Sequence, residues 1–253
     1  MTTTPLIPRV SSGRTTLDAE SVPIAVTVVI PYLSREQHLQ NALAGWFDQD
    51  YSGHLGVVVV DFSDKPSLVD LNRVRLIRSQ SARWNINRAR NIGARGALGD
   101  LLIFSNTDLV PESNFASGLV AQWDQFELWI CDGLYRDIPH DPSLAGLIAV
   151  KRWVNTRLRG FNEEMMEQPH GWGYDAVDYR LRATAMLSGC GGSVGEYPGS
   201  SVLVLPHSDS ARAEPYECDN LDISYDRHAA YSRWYRSQFG FIANIGADWG
   251  QQW

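Results

Sequence analysis

Leu101-Leu102-Ile103-Phe104-Ser105-Asn106-Thr107-Asp108 passes from four large apolar side chains directly into a polar turn that ends in a carboxylate. A short, unbroken apolar run of this kind is how a strand covered on both faces of a parallel sheet reads. Working outward, Ala25-Val26-Thr27-Val28-Val29-Ile30 is a second such run, β-branched and ended by Pro31. Val57 to Val60 is a third, stopped by Asp61-Phe62-Ser63-Asp64. A shorter strand is expected at Val74 to Ile77. Between the strands, the stretch from Arg35 to Phe47 has helical spacing, with Leu39, Ala42, Leu43 and Trp46 on one face, and a further helix is expected from Asn87 to Leu98, closed by Gly99. Parallel neighbours need crossover helices, so this alternation predicts an α/β fold with a mostly parallel central sheet flanked by helices.

In such folds the binding crevice lies outside the carboxyl ends of the strands. Pro31-Tyr32, Asp61-Phe62-Ser63-Asp64 and Asn106-Thr107-Asp108 all fall there. The rest of the chain is less regular: a strand or helix within Leu144 to Leu158, a glycine and aromatic loop from Gly160 to Gly173, a helix from Tyr174 to Leu187, a strand at Ser201 to Leu205, and an amphipathic helix from Leu221 to Tyr235. Residues 1–22, rich in Thr, Ser and Pro, read as a flexible leader. Residues 23–253 then form one domain, with a nucleotide-type half over about 23–112 and an elaborated half over about 113–240.

Composition removes several classes of function. With 29 acidic against 22 basic residues the net charge is −7, leaving no basic excess to neutralise the phosphates of a nucleic acid. Three cysteines without a CxxC pair argue against a disulfide framework or a thiolate zinc site. No apolar run reaches membrane-spanning length and the amino terminus lacks signal-peptide order, so a cytoplasmic protein with no integral membrane segment is expected.

Chemistry-bearing residues fall in three places. Asp108, just past an apolar strand, could hold a hard divalent cation against a diphosphate, or could simply cap the next element. Asp175 and Asp178, three apart at a helix start behind Gly171-Trp172-Gly173, could offer a general base to a sugar hydroxyl, or could be the acidic residues that helix N-termini favour. His207, after Pro206 at a strand end, is a candidate metal ligand. Trp172, set between two glycines, is a candidate sugar-stacking platform with Gly173 beside it.

Taken in order, Ile30-Pro31-Tyr32, Asn87-Arg88-Ala89-Arg90-Asn91-Ile92-Gly93, Phe104 to Pro111, Arg159-Gly160-Phe161-Asn162-Glu163, Gly171-Trp172-Gly173-Tyr174-Asp175 and Pro206-His207-Ser208 resemble the glycosyltransferases of the GT-A fold. The likeness is to family 2, and the Gly-Trp-Gly element with the His-Ser pair is similar to the β-1,4-galactosyltransferase branch. The resemblance implies a hexosyltransferase-type, inverting enzyme that uses a nucleotide-sugar donor, UDP-linked, with Mn2+ or Mg2+ and a carbohydrate or other hydroxyl acceptor. It implies that Pro31, Tyr32 and Arg35 line the nucleotide pocket, that Asp61 meets the base or ribose, and that Arg88 lies near the diphosphate. Asn106 and Asp108 stand at the family's Asp-x-Asp, with Asp108 and His207 as metal ligands. The sequence departs from the pattern twice. Asn106 replaces the first Asp, and Ala176 takes the usual base position, so that either Asp175 has taken over, with Asp178 in reserve, or the chain is a weakened or inactive relative that binds nucleotide sugar or glycan. A sugar-phosphate nucleotidylyltransferase is disfavoured, because the first strand has no glycine-rich phosphate loop after it.

Overall fold

The computed structural model describes residues 23–64, 70, 72–79, 83–131, 146–167, 173–197, 202–208 and 221–250. The leader expected over residues 1–22 and the candidate platform Trp172 lie outside the described residues. The first four strands are β1 (Val26–Tyr32), β2 (Leu55–Asp61), β3 (Val74–Arg78) and β4 (Leu101–Phe104). They are followed by β5 (Leu109–Pro111), β6 (Leu128–Ile130), β7 (Ile148–Lys151), β8 (Val194–Glu196) and β9 (Val202–Val204). The helices are α1 (Glu36–Phe47), α2 (Ile86–Gly96), α3 (Phe115–Val120), α4 (Arg152–Leu158), α5 (Glu163–Glu167), α6 (Asp175–Cys190) and α7 (Leu221–Phe239).

Seven strands form one sheet in the order β3-β2-β1-β4-β7-β6-β8. β1 pairs in parallel with β2 and β4, and β2 with β3, while β7 runs antiparallel to both β4 and β6. The apolar runs form its centre because both faces are covered, and every residue of β1 and β4 is buried. Alternation along the strands sorts the core. Val28, Ile30, Val57 and Val59 point to the side where α1 supplies Leu39, Leu43 and Trp46 and α3 supplies Phe115 and Leu119. Val29, Leu102 and Phe104 point the other way, toward Val154 and Leu158 of α4 and Tyr179 and Ala183 of α6. On that second side α2 rides directly on β1, where a Cβ at Gly93 would collide with Val29 Cγ1.

The stretch Leu144 to Leu158, open between strand and helix in the sequence, contains both, as β7 runs directly into α4. The expected loop from Gly160 to Gly173 carries a short helix, α5, whose Met165 and Met166 are buried. The three-residue strands β5, β6 and β8 and the short α3 have no counterpart in the sequence reading. β5 pairs antiparallel with β9 as a separate ribbon. Among the described residues no helix is long and apolar enough to cross a membrane.

Candidate active site

Chain order reverses between β1 and β4, since β2 and β3 lie on one side of β1 and β4 on the other. A reversal of this kind opens a crevice at the carboxyl ends of the two strands, because the connections leave in opposite directions. Tyr32 and Asp61 end their strands side by side in register. Asp61 is buried, and its Oδ1 accepts the Ser63 amide at 2.8 Å and the Ser63 hydroxyl. The Arg78 guanidinium lies 4.0 Å from Asp61 Oδ2. Tyr32 donates its hydroxyl to Glu36 at 3.0 Å. Burial, that hydrogen bond and the charges of Glu36 and Asp61 push its phenol well above the ordinary value, so it stays neutral. Pro31 is buried on β1 opposite Val60, beyond the point where β4 has ended. Arg35 opens α1 with φ 73° and ψ 57°, a left-handed conformation uncommon for a residue with a Cβ.

At the end of β4 the Ser105 amide donates to Val29 O at 3.0 Å, which seats the Asn106-Thr107-Asp108 turn against β1. Pairing of β5 with β9 extends to Leu205, whose amide donates to Asp108 O at 2.8 Å. That ribbon delivers His207 to Asp108, with Nε2 lying 2.8 Å from Oδ2. The other oxygen, Oδ1, is buried and has no hydrogen-bond partner among the described residues. A carboxylate oxygen left without a donor in a buried place is suited to a cation, so the pair fits the divalent ion that the sequence implied. Among the described residues no cluster of three or more His, Cys, Asp or Glu side chains accompanies it.

The far wall is the head of α6. Gly173 (φ 85°) and Tyr174 (φ 63°) turn the chain through two consecutive left-handed residues into Asp175. His228 of α7 donates Nδ1–H to Gly173 O at 2.9 Å, and the Tyr225 ring packs edge-on against Tyr174. Asp175 forms an ion pair with Arg90, and the same guanidinium reaches Asn106 Oδ1 at 3.3 Å. Arg90 therefore ties the two walls together, a role that no sequence motif assigns to it. A signal is nevertheless present, since Asn87, Arg90, Asn91 and Ala94 share one face of α2 at helical spacing and all are buried.

Two expected site residues are held by protein partners. Arg88, expected near the diphosphate, is held in ion pairs with Glu163 and Glu167. Two residues along a helix turn the side chain to the opposite side, so Arg90 meets Asp175 while Arg88 meets the carboxylates of α5. Asp178, the reserve base, is fully buried, taking Arg182 Nε at 2.7 Å and the Ser232 hydroxyl at 2.6 Å, and serves as the joint between α6 and α7. One turn of helix separates the two aspartates, yet their partners differ. Ala176 packs in the core beside Tyr179 and Ala183.

The seven-stranded, mostly parallel sheet covered by helices on both faces is the architecture of the nucleotide-diphospho-sugar transferase class, the GT-A fold. The chain belongs to glycosyl transferase family 2, which matches residues 27–178, more than half of its length. Among curated proteins none matches. Solved structures share the fold at low identity. One is the mannosyltransferase PcManGT from Pyrobaculum calidifontis in complex with GDP-Man and Mn2+, at 21% identity and TM-score 0.53 over 70% of this chain. This chain spans 56% of that one. Another is S. aureus TarS 1-349 in complex with UDP, at 13% identity and TM-score 0.58 over 85% of this chain and 72% of that one. A third is the catalytic domain of Drosophila β1,4-galactosyltransferase 7 in complex with xylobiose, at 16% identity and TM-score 0.50, covering 75% and 73%.

Proposed function

We propose that this protein transfers a sugar from a nucleoside-diphosphate donor, UDP-linked, to a hydroxyl acceptor with inversion at the anomeric carbon. The observation that carries the reading is the position of Asp61 at the end of β2 and of the Asp108–His207 pair just past β4, on either side of β1, with Asp108 Oδ1 buried and unpartnered among the described residues. Solved structures of similar fold hold UDP or GDP-Man, the latter with Mn2+, which supports a nucleotide donor here.

In this reading Asp61 accepts a hydrogen bond from the base or ribose, and neutral Tyr32 packs beside it with Pro31 and Arg35. Asp108 and His207 would hold Mn2+ or Mg2+, which when bound offsets the charge of the departing diphosphate. Asp175 removes the acceptor hydroxyl proton. The acceptor oxygen's electron pair then forms the bond to the anomeric carbon, while the bond to the phosphate oxygen breaks and its electrons leave with the nucleoside diphosphate. A second reading, a binding protein without turnover, draws on Ala176 in the core and on the ion pair already formed by Asp175.

Calorimetric titration of UDP and GDP, with and without Mn2+, into wild type, Asp108→Ala and His207→Ala tests the donor site. UDP should bind wild type more tightly with Mn2+, and both substitutions should remove that enhancement, because metal and nucleotide binding are linked. Failure of every nucleoside diphosphate to bind at millimolar concentration would overturn the reading. Equal enhancement in all three proteins would remove both residues from the metal site.

A further inference from the structure

Arg90 is 1% exposed, and its guanidinium is enclosed from several directions. The Phe161 ring lies 4.8 Å from the guanidinium carbon. Nη2 reaches Asn106 Oδ1 at 3.3 Å, and Nη1 is paired with Asp175 Oδ2. The backbone of Gly146 closes the cluster so tightly that a Cβ there would stand 2.5 Å from Asn106 Nδ2 and 2.9 Å from Arg90 Nη2. A buried guanidinium needs a counter-ion, and among the described residues Asp175 is the one carboxylate paired with it. Asn106 contributes an amide dipole and no charge. The pairing also sorts the two oxygens of Asp175. Oδ2 is committed to Arg90, whereas Oδ1 has no hydrogen-bond partner among the described residues and the side chain keeps 16% exposure.

We propose that Arg90 is the positioning residue that presents Asp175 Oδ1 to the acceptor, and that the neutral amide of Asn106 is what reserves Arg90 for Asp175. This rests on the reading of Asp175 as general base. A carboxylate at position 106 would stand within reach of the same guanidinium and compete for it. Arg90 thereby couples the turn that holds the donor to the carboxylate that meets the acceptor, through one shared charge. Its planar fork matters as well as its charge, because two separate acceptors are met by two separate nitrogens, which a lysine ammonium cannot reproduce in the same geometry.

Thermal unfolding of a double-substitution cycle tests the shared charge without any ligand. Asp175→Asn should lower Tm by about 10 °C, as expected when a buried cation loses its partner in a domain of this size. In the Asn106→Asp background the same substitution should lower Tm by less than half as much, since the new carboxylate takes over the guanidinium. Equal losses in the two backgrounds would show that positions 106 and 175 do not share Arg90, and would overturn the proposal. Release of UDP from UDP-glucose, UDP-galactose or UDP-N-acetylglucosamine, with water as acceptor, reads the positioning role. Arg90→Lys should lower kcat at least about tenfold. Its UDP affinity should stay within about twofold of wild type, a kcat-against-binding split that a loss of folding would not produce. Arg90→Gln, which also removes the charge, should fall further than Arg90→Lys. An unchanged kcat in Arg90→Lys would remove the positioning role. Absence of nucleotide binding in wild type would instead overturn the transferase reading and the positioning role with it, and the thermal cycle would still decide whether the charge is shared.

Discussion

At the ends of β2 and β4 the carboxylates are placed by the turns and ribbon that follow, whereas along α6 they are placed by arginines. Asp61 is fixed by the turn that follows its strand, through the amide and hydroxyl of Ser63, and Asp108 by a ribbon hydrogen bond through its own carbonyl. The latter keeps a buried oxygen that no described residue meets. Asp175 and Asp178 are instead neutralised within the protein, by Arg90 and Arg182. The difference is one of purpose. At Asp108 one buried oxygen is left that no described residue meets, whereas the carboxylates on the helix are each answered by an arginine of the fold.

The most severe test of that contrast is Asp178→Asn. Arg182 is wholly buried, bonds Gly160 O at 3.1 Å and Phe241 O at 3.3 Å besides Asp178, and would lose its only described carboxylate. Breaking a buried pair by removing one partner costs about 3–5 kcal/mol, so urea unfolding should show a loss of that size. A loss below about 1 kcal/mol, the level of a surface pair, would mean that the fold does not depend on this charge.

Asp108→Asn should behave in the opposite way. The substitution keeps the shape and a polar group toward His207, and the other carboxylate oxygen is met by no described residue, so stability measured in the same urea series should change by less than about 1 kcal/mol. A loss as large as that of Asp178→Asn would erase the distinction between the two regions.

The smallest effect concerns the tyrosines, and it is read only when the pH is raised past about 10. Burial pushes Tyr179 well above its ordinary value, with Arg182 pulling weakly the other way, and burial together with Glu36 does the same to Tyr32. Unfolded tyrosine ionises near pH 10. Above that pH the unfolded state releases protons that the folded state retains, so the stabilisation is complete below about pH 10 and is lost as the pH rises through the folded-state values. Tyrosinate absorbance at 295 nm should therefore rise for these residues together with the loss of tertiary structure. Full titration of all tyrosines near pH 10 in a protein that remains folded would contradict it.

The sheet is legible in the sequence because its strands announce themselves locally. Val26 to Ile30 and Leu101 to Phe104 are apolar at every position or nearly so, and a strand buried on both faces needs that whatever lies around it. The three-residue strands β5, β6 and β8 are too short to show a period, so the ribbon that carries His207 to Asp108 is invisible in the sequence although both residues stand out there. On α6 the i,i+4 spacing of Asp178 and Arg182 is a local sign of a helix ion pair, and that spacing alone distinguishes Asp178 from Asp175.

By itself the sequence determined which segments are buried strands, where they end, and that carboxylates stand at or just past the ends of β2 and β4, since each of these depends on neighbours within a few residues. Which charge answers which was decided by tertiary structure alone. Asp108 and His207 are 99 residues apart, and Arg90 and Asp175 are 85 apart. Arg88 and Arg90 carry the same charge two positions apart on one helix, and nothing in their chemistry says which turns inward. The packing of α2 on β1 chose Arg90, because helical rotation gives one of them to Asp175 and Asn106 and the other to Glu163 and Glu167.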